Sequence, residues 1–138
     1  IFQSFNLLGT MNAIENVALP LTFRGVDKKV REAKAVKMLK LVGLSKHMLH
    51  RPNEMSGGQQ QRVGVARALV LDPEIIFADE PTGNLDVETG RRIVELLQDI
   101  CRQGSAILMT THNLNLLSEY PGKVYKCEHH RLTETTNS

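Results

Sequence analysis

Residues 75–81, Ile75-Ile76-Phe77-Ala78-Asp79-Glu80-Pro81, join a short Ile-rich apolar run to two adjacent carboxylates and a proline. The run 74–78 is too short for a helix and is flanked by turn residues, so it predicts a fully buried strand. Just upstream, Asp72-Pro73 stops a preceding helix. Downstream, 87–103 carries Ile93, Leu96, Leu97 and Ile100 at helical spacing, with Gly104 as its C-terminal stop. Residues 105–110 then predict a second buried strand. Strand, helix and strand in that order form one βαβ unit, so the second half of the chain reads as α/β with a parallel sheet.

Upstream the pattern changes. Residues 1–26 mix apolar pairs with Gly, Asn and Pro and predict loops plus a short helix near 13–18. A firmer helix is expected over 28–42. Asp27 caps it, Ala35, Met38, Leu39 and Val42 share a face, and Gly43 ends it. After a polar connection, a helix over about 57–71 places Val63, Ala66 and Val70 on one side. The first half contains no convincing strand. The domain division expected is therefore 1–72, a helical part, and 73–138, an α/β part. Near the C-terminus, 123–127 and 131–133 predict a hairpin, and 133–138 is a polar tail.

Two of these places have the residues for phosphate chemistry. Asp79 and Glu80 stand at the C-terminal edge of a strand, where ligands bind in open α/β sheets. One acid there suits a hard cation such as Mg²⁺, and its neighbour suits polarising a water for attack on a phosphoryl group. Alternation along a strand gives them different jobs, Asp79 the metal side and Glu80 the water side. The other place is Ser56-Gly57-Gly58-Gln59, at the start of a helix. Its first amides lack helical partners, the glycines let an anion approach, and Ser56 adds a donor. By itself each segment also fits an ordinary strand terminus or a plain capped helix.

The run Ser56-Gly57-Gly58-Gln59-Gln60-Gln61-Arg62-Val63, set 23 residues before the acid pair, is more specific. It resembles the signature motif of ABC ATPases. Phe77-Ala78-Asp79-Glu80-Pro81 resembles their Walker B strand, and Thr82-Gly83-Asn84-Leu85-Asp86 their D-loop. Thr110-Thr111-His112-Asn113 resembles the switch histidine segment, and Gln3, in Phe2-Gln3-Ser4, the Q-loop glutamine. The resemblance implies a partial P-loop NTPase core of RecA-like α/β type, with a parallel sheet, plus the ABC helical subdomain. It implies ATP and Mg²⁺ as ligands, with Gln3 and Asp79 on the metal and Glu80 as general base. His112 would touch the γ-phosphate, and Gln3, Ser56, Gly57, Gly58, Gln59 and Asp86 would belong to ATP sites shared across a homodimer. Asn6-Leu7-Leu8 and Glu15-Asn16-Val17-Ala18-Leu19-Pro20-Leu21 resemble the group of macrolide-export, lipoprotein-release and cell-division ATPases. Such subunits work with transmembrane permeases from the cytoplasmic face of the cell membrane.

The chain contains no G-x-x-x-x-G-K-[ST] phosphate loop and opens at Ile1 without a Met, so truncation is expected, with weak nucleotide binding and bare apolar sheet edges. DNA-repair ATPases with a similar signature insert a long coiled coil before it. Here Gln3 and Ser56 lie 53 residues apart with no sustained heptads. A soluble translation ATPase with two cassettes and a non-catalytic regulatory module are the other readings. The presence of Glu80 and His112 argues against the last.

Composition narrows the rest. The 138 residues are 41% hydrophobic, enough for a core, and carry a formal charge of only +2. With 4% aromatics and no Trp, neither a basic nucleic-acid face nor a base-stacking platform is expected. Apolar runs reach four residues, against the roughly 20 a membrane helix needs. Cys101 and Cys127 form no disulfide or metal pattern, which fits a reducing compartment; Cys101, beside Ile100, reads as a small buried hydrophobe. His47 with His50, and Cys127 with His129 and His130, lack enough ligands for a metal site. Arg62 and Arg67 are expected in salt bridges or packed along their stems.

Overall fold

A computed structural model describes residues 1–135. The last three positions of the polar tail, 136–138, lie outside the described residues. Helices come first: α1 (Ala13–Phe23), α2 (Lys28–Leu41) and, after a 3-10 turn at Pro52–Glu54, α3 (Gly57–Leu69). A βαβ unit follows, made of β1 (Ile75–Asp79), α4 (Val87–Arg102) and β2 (Ala106–Thr110). A short α5 (Leu114–Glu119) and a hairpin of β3 (Val124–Glu128) and β4 (Arg131–Thr135) complete the chain.

Local chemistry accounts for most of these boundaries. Asn12 and Glu15 form a capping box at the start of α1, and Asp27 accepts from the Lys29 amide to start α2. Gly43 and Gly104 follow α2 and α4 with φ of 82° and 116°, the left-handed stops that glycine allows. α1 runs beyond the expected 13–18, through Pro20 to Phe23, because Val17, Ala18 and Leu21 bury against α2 and α3. α5 went unpredicted: six residues hold too little periodicity, and tertiary contacts fix it instead. Leu116 is buried, and Arg91 of α4 grips Glu119 through two bonds of 3.0 and 3.2 Å.

β1 and β2 pair in parallel, Ile75 with Ala106 through Asp79 with Thr110. The core runs from the three-helix part into this unit, with Leu39, Val63 and Val65 at one end and Ile76, Ala78, Ile93, Leu97 and Ile100 at the other. Only one face of the sheet is covered. Ile76 and Ala78 are buried, while Ile75 and Phe77 are 56% and 65% exposed. The expectation of fully buried strands is therefore corrected to half-buried ones, because helices pack on one side of the pair. Cys101 is corrected too: it is exposed, one position beyond the inward-facing Ile100.

The hairpin turn places His129 and His130 at φ of 49° and 61°, the paired left-handed positions of a two-residue turn. Among the described residues no cluster of three or more His, Cys, Asp or Glu is arranged to hold a metal ion. Among the described residues, neither Arg62 nor Arg67 makes a salt bridge. Each donates to backbone carbonyls instead, Arg62 to Val42 at 2.8 Å and Arg67 to Asn6 at 2.9 Å, tying α3 to the end of α2 and to the N-terminal loop. His47 and His50 are half-buried and joined through their Nδ1 atoms at 3.1 Å.

Candidate functional site

β1 ends at Asp79, and Glu80 lies one residue past it with φ of 46°. A left-handed turn costs a non-glycine residue about 1–2 kcal/mol. The Glu80 amide is held there by the Thr110 carbonyl at 3.1 Å and, at 3.2 Å, by the Thr110 hydroxyl oxygen. That same hydroxyl donates to Asp79 Oδ1 at 2.6 Å. Thr110 can serve both acids because strand register sets it opposite Asp79. The strand pleat does not extend to Glu80, which lies in the turn beyond β1.

Gln3 approaches from the chain's first residues. Ile1 lies along β1, donating to the Phe77 carbonyl and accepting from the Asp79 amide, each at 2.9 Å. Asn84 donates to the Gln3 carbonyl at 3.1 Å. The Gln3 side chain lies on Gly83, where any Cβ would collide with its amide. His112, wholly exposed, reaches across from the end of β2, and its Nε2 is 3.4 Å from Glu80 Oε1. Gln3, Glu80, Thr82, Gly83, Leu85, His112 and Asn113 thus line one open cleft of ≈ 530 Å³. Asp79 is not among the residues that line it; it is exposed, with one oxygen engaged by Thr110.

Ser56, Gly57, Gly58 and Gln59 form the N-terminus of α3, outside this cleft. Ser56 Oγ accepts from the Gln59 amide at 3.2 Å, and Gln59 Oε1 accepts from the Ser56 amide at 3.1 Å, a closed capping box. The amides of Gly57 and Gly58 are the ones helical geometry leaves without a carbonyl partner. Packing demands a glycine at 58 and leaves little room at 57. A Cβ on Gly57 would sit 3.2 Å from Leu85 Cδ2, and one on Gly58 would strike the Thr89 methyl. Asp86 caps α4, accepting from the Thr89 amide at 3.1 Å. Hydrogen bonding to Thr89 holds its carboxyl below the usual aspartate pKa.

Three residues that matter here were not singled out as site residues by the sequence: Thr110, Asn84 and Gln61. Their signal is pairing across the fold, which adjacency in sequence does not display. Gln61 differs from Gln59 and Gln60 only in the direction it faces.

This arrangement, acids and a histidine at the carboxyl ends of parallel strands together with a glycine-opened helix N-terminus, is of the kind with which α/β folds bind anionic ligands. The ABC transporter family model matches residues 1–83, and the chain belongs to that family, in its ATP-binding portion. It is 51% identical over 119 residues to an uncharacterized ABC transporter ATP-binding protein of Thermotoga maritima, covering 86% of this chain and 51% of that protein. It is 50% identical to the lipoprotein-releasing system ATP-binding protein LolD of Novosphingobium aromaticivorans, covering 84% of this chain and 52% of LolD. It is 48% identical to the macrolide export ATP-binding/permease protein MacB of Chlorobaculum tepidum, covering 90% of this chain and 19% of MacB. Among solved structures, the dimeric ATP-binding cassette MJ0796 bound to ADP and Pi superimposes with a TM-score of 0.70 at 42% identity, covering 83% of this chain and 53% of that one. The expected α/β ATPase-cassette fold is thereby established. The chain spans about half the length of the LolD and Thermotoga relatives.

Proposed function

We propose that this chain is part of an ATP-hydrolysing subunit that drives a membrane partner in the cell envelope, working as a homodimer that closes on two ATP molecules. The observation that carries the reading is the convergence of Gln3, Glu80 and His112 on one cleft at the ends of β1 and β2. Glu80 takes the proton of the attacking water, its carboxylate set in a turn fixed by two bonds to Thr110. His112, exposed and adjacent, orients that water and meets the γ-phosphate. Asp79 and Gln3 offer hard oxygen donors, few enough to leave most positions to water and phosphate, as Mg²⁺ requires. When bound, Mg²⁺ neutralises charge developing on the phosphates. Ser56, Gly57, Gly58 and Gln59 face the γ-phosphate held by the other subunit, and Asp86 relays contact across the dimer.

The relatives support this frame: LolD is named for a lipoprotein-releasing system, MacB for macrolide export with a permease, and MJ0796 is a dimer bound to ADP and Pi. No described helix is long and apolar enough to cross a membrane, which suits a subunit docked through permeases on the cytoplasmic face. Residues 1–72 and 73–138 serve as the helical and core parts of the cassette.

The test is MgATP turnover by a polypeptide extended N-terminally to include a phosphate loop, beside the same polypeptide carrying Glu80→Gln. Turnover should rise with protein concentration, and the variant should lose about 10²–10⁴-fold. A folded, extended protein that stays inactive even with membrane subunits added would sink the proposal.

A further inference from the structure

Gln61 is wholly buried in the second turn of α3, five residues past Ser56. Its Nε2 donates to two backbone carbonyls far apart in sequence, Phe2 at 3.0 Å and Pro81. Phe2 immediately precedes Gln3, and Pro81 immediately follows Glu80. One side-chain nitrogen therefore fastens the backbone beside both residues of the cleft to the helix whose N-terminus is Ser56-Gly57-Gly58-Gln59. Two carbonyl acceptors fix the amide's orientation, since only the NH₂ end can donate to them. The other end, Oε1, is buried among the described residues without a partner. A Cβ built on Gly64 would lie 3.4 Å from it, at ordinary contact distance, so apolar surface adjoins this oxygen. An orphaned amide oxygen is an expensive way to fill a core, so packing alone does not account for a glutamine here.

We propose that Gln61 is a positioning residue for hydrolysis, resting on the ATPase reading above. Through it, a movement of α3 when its N-terminus meets phosphate is passed to Gln3 and Glu80 together. Its geometric role is to hold the Phe2–Gln3 and Glu80–Pro81 peptides in fixed relation. Displacements of about 1 Å at reacting groups cost rate by up to about 100-fold without weakening substrate binding.

The experiment uses the full-length protein. Gln61→Met keeps the side chain's length and removes its donors. The expected result is a folded variant whose kcat falls about tenfold or more while its KM for MgATP moves less than about threefold. A folded variant with unchanged kcat, or one whose loss matches only a smaller folded fraction, overturns the inference. Should Gln61→Met not fold, the wild-type protein decides by NMR of the Gln61 side-chain amide protons. Slow solvent exchange and a shift on adding MgATP support the link; rapid exchange, or no shift at saturating MgATP, refutes it. Absence of turnover in folded wild-type protein would instead refute the ATPase reading itself.

Discussion

Gly58 has no room for a methyl group, because a Cβ there would run into the side chain of Thr89 on α4. Gly58→Ala should destabilise the protein by about 1–3 kcal/mol, the usual cost of overpacking. Gly58→Ala with Thr89→Ser, which removes the methyl, should recover much of that loss in urea melts. Were the double variant no more stable than the single one, steric demand would not explain this glycine. Asp86 makes a second prediction at this scale. Its folded pKa lies below the ordinary 3.8 because Thr89 donates to the charged form. The unfolded chain therefore binds a proton first as pH falls, so the stabilisation is full above about 3.8 and fades as pH drops through the lowered folded value. Asp86→Asn should show a smaller loss of stability between pH 7 and pH 3 than the wild type, measured by chemical denaturation. The acids, the histidine and the glycine pair were legible in sequence because each carries its own chemistry. Thr110, Asn84 and Gln61 were not, since a threonine, an asparagine or a glutamine acquires a role only from what the fold sets against it.

At the scale of elements, Asn16 decides how the loop before α1 is held. It is fully buried; its Oδ1 accepts from the Leu8 amide at 2.8 Å, and its Nδ2 donates to the carbonyls of Leu8, Met11 and Asn12 at 3.1 Å each. Asn16→Leu would take their Asn16 partner from the Leu8 amide and the Met11 carbonyl, at about 1–3 kcal/mol apiece where water cannot reach, while the Leu8 and Asn12 carbonyls keep backbone donors from Met11 and Asn16. The expected outcome is a clear drop in the denaturation midpoint with secondary structure retained; an unchanged midpoint would mean the loop rearranges freely. Helices were readable because their caps and apolar faces are local: Asp27 caps α2, Ile93, Leu97 and Ile100 line α4, and Val63 and Ala66 line α3 as anticipated. The strands were placed correctly but their burial was not. An apolar run states what a segment can bury, and neighbours decide whether both of its faces are covered.

Across the whole molecule, the bare face of the β1–β2 pair sets solution behaviour. Ile75, Phe77 and Leu108, each more than half exposed, present apolar surface on a sheet. The 138-residue chain should associate with rising concentration, and Phe77→Lys should reduce that association in sedimentation velocity; equal association by both would place the contact elsewhere. The sequence by itself determined the order of the elements other than α5, the parallel βαβ unit and the family, because periodicity, caps and spaced motifs are written locally along the chain. Only the tertiary structure decided that Gln3, Glu80 and His112 share one cleft, that Ser56 to Gln59 stand apart from it, and that Gln61 joins the two regions. Those facts depend on contacts between residues 59, 76 and 81 positions apart (Phe2 with Gln61, Ile1 with Phe77 of β1, Gln3 with Asn84), which no local pattern encodes. Long-range hydrogen bonds and steric fit settle them, and these form only when the helices and the sheet have packed.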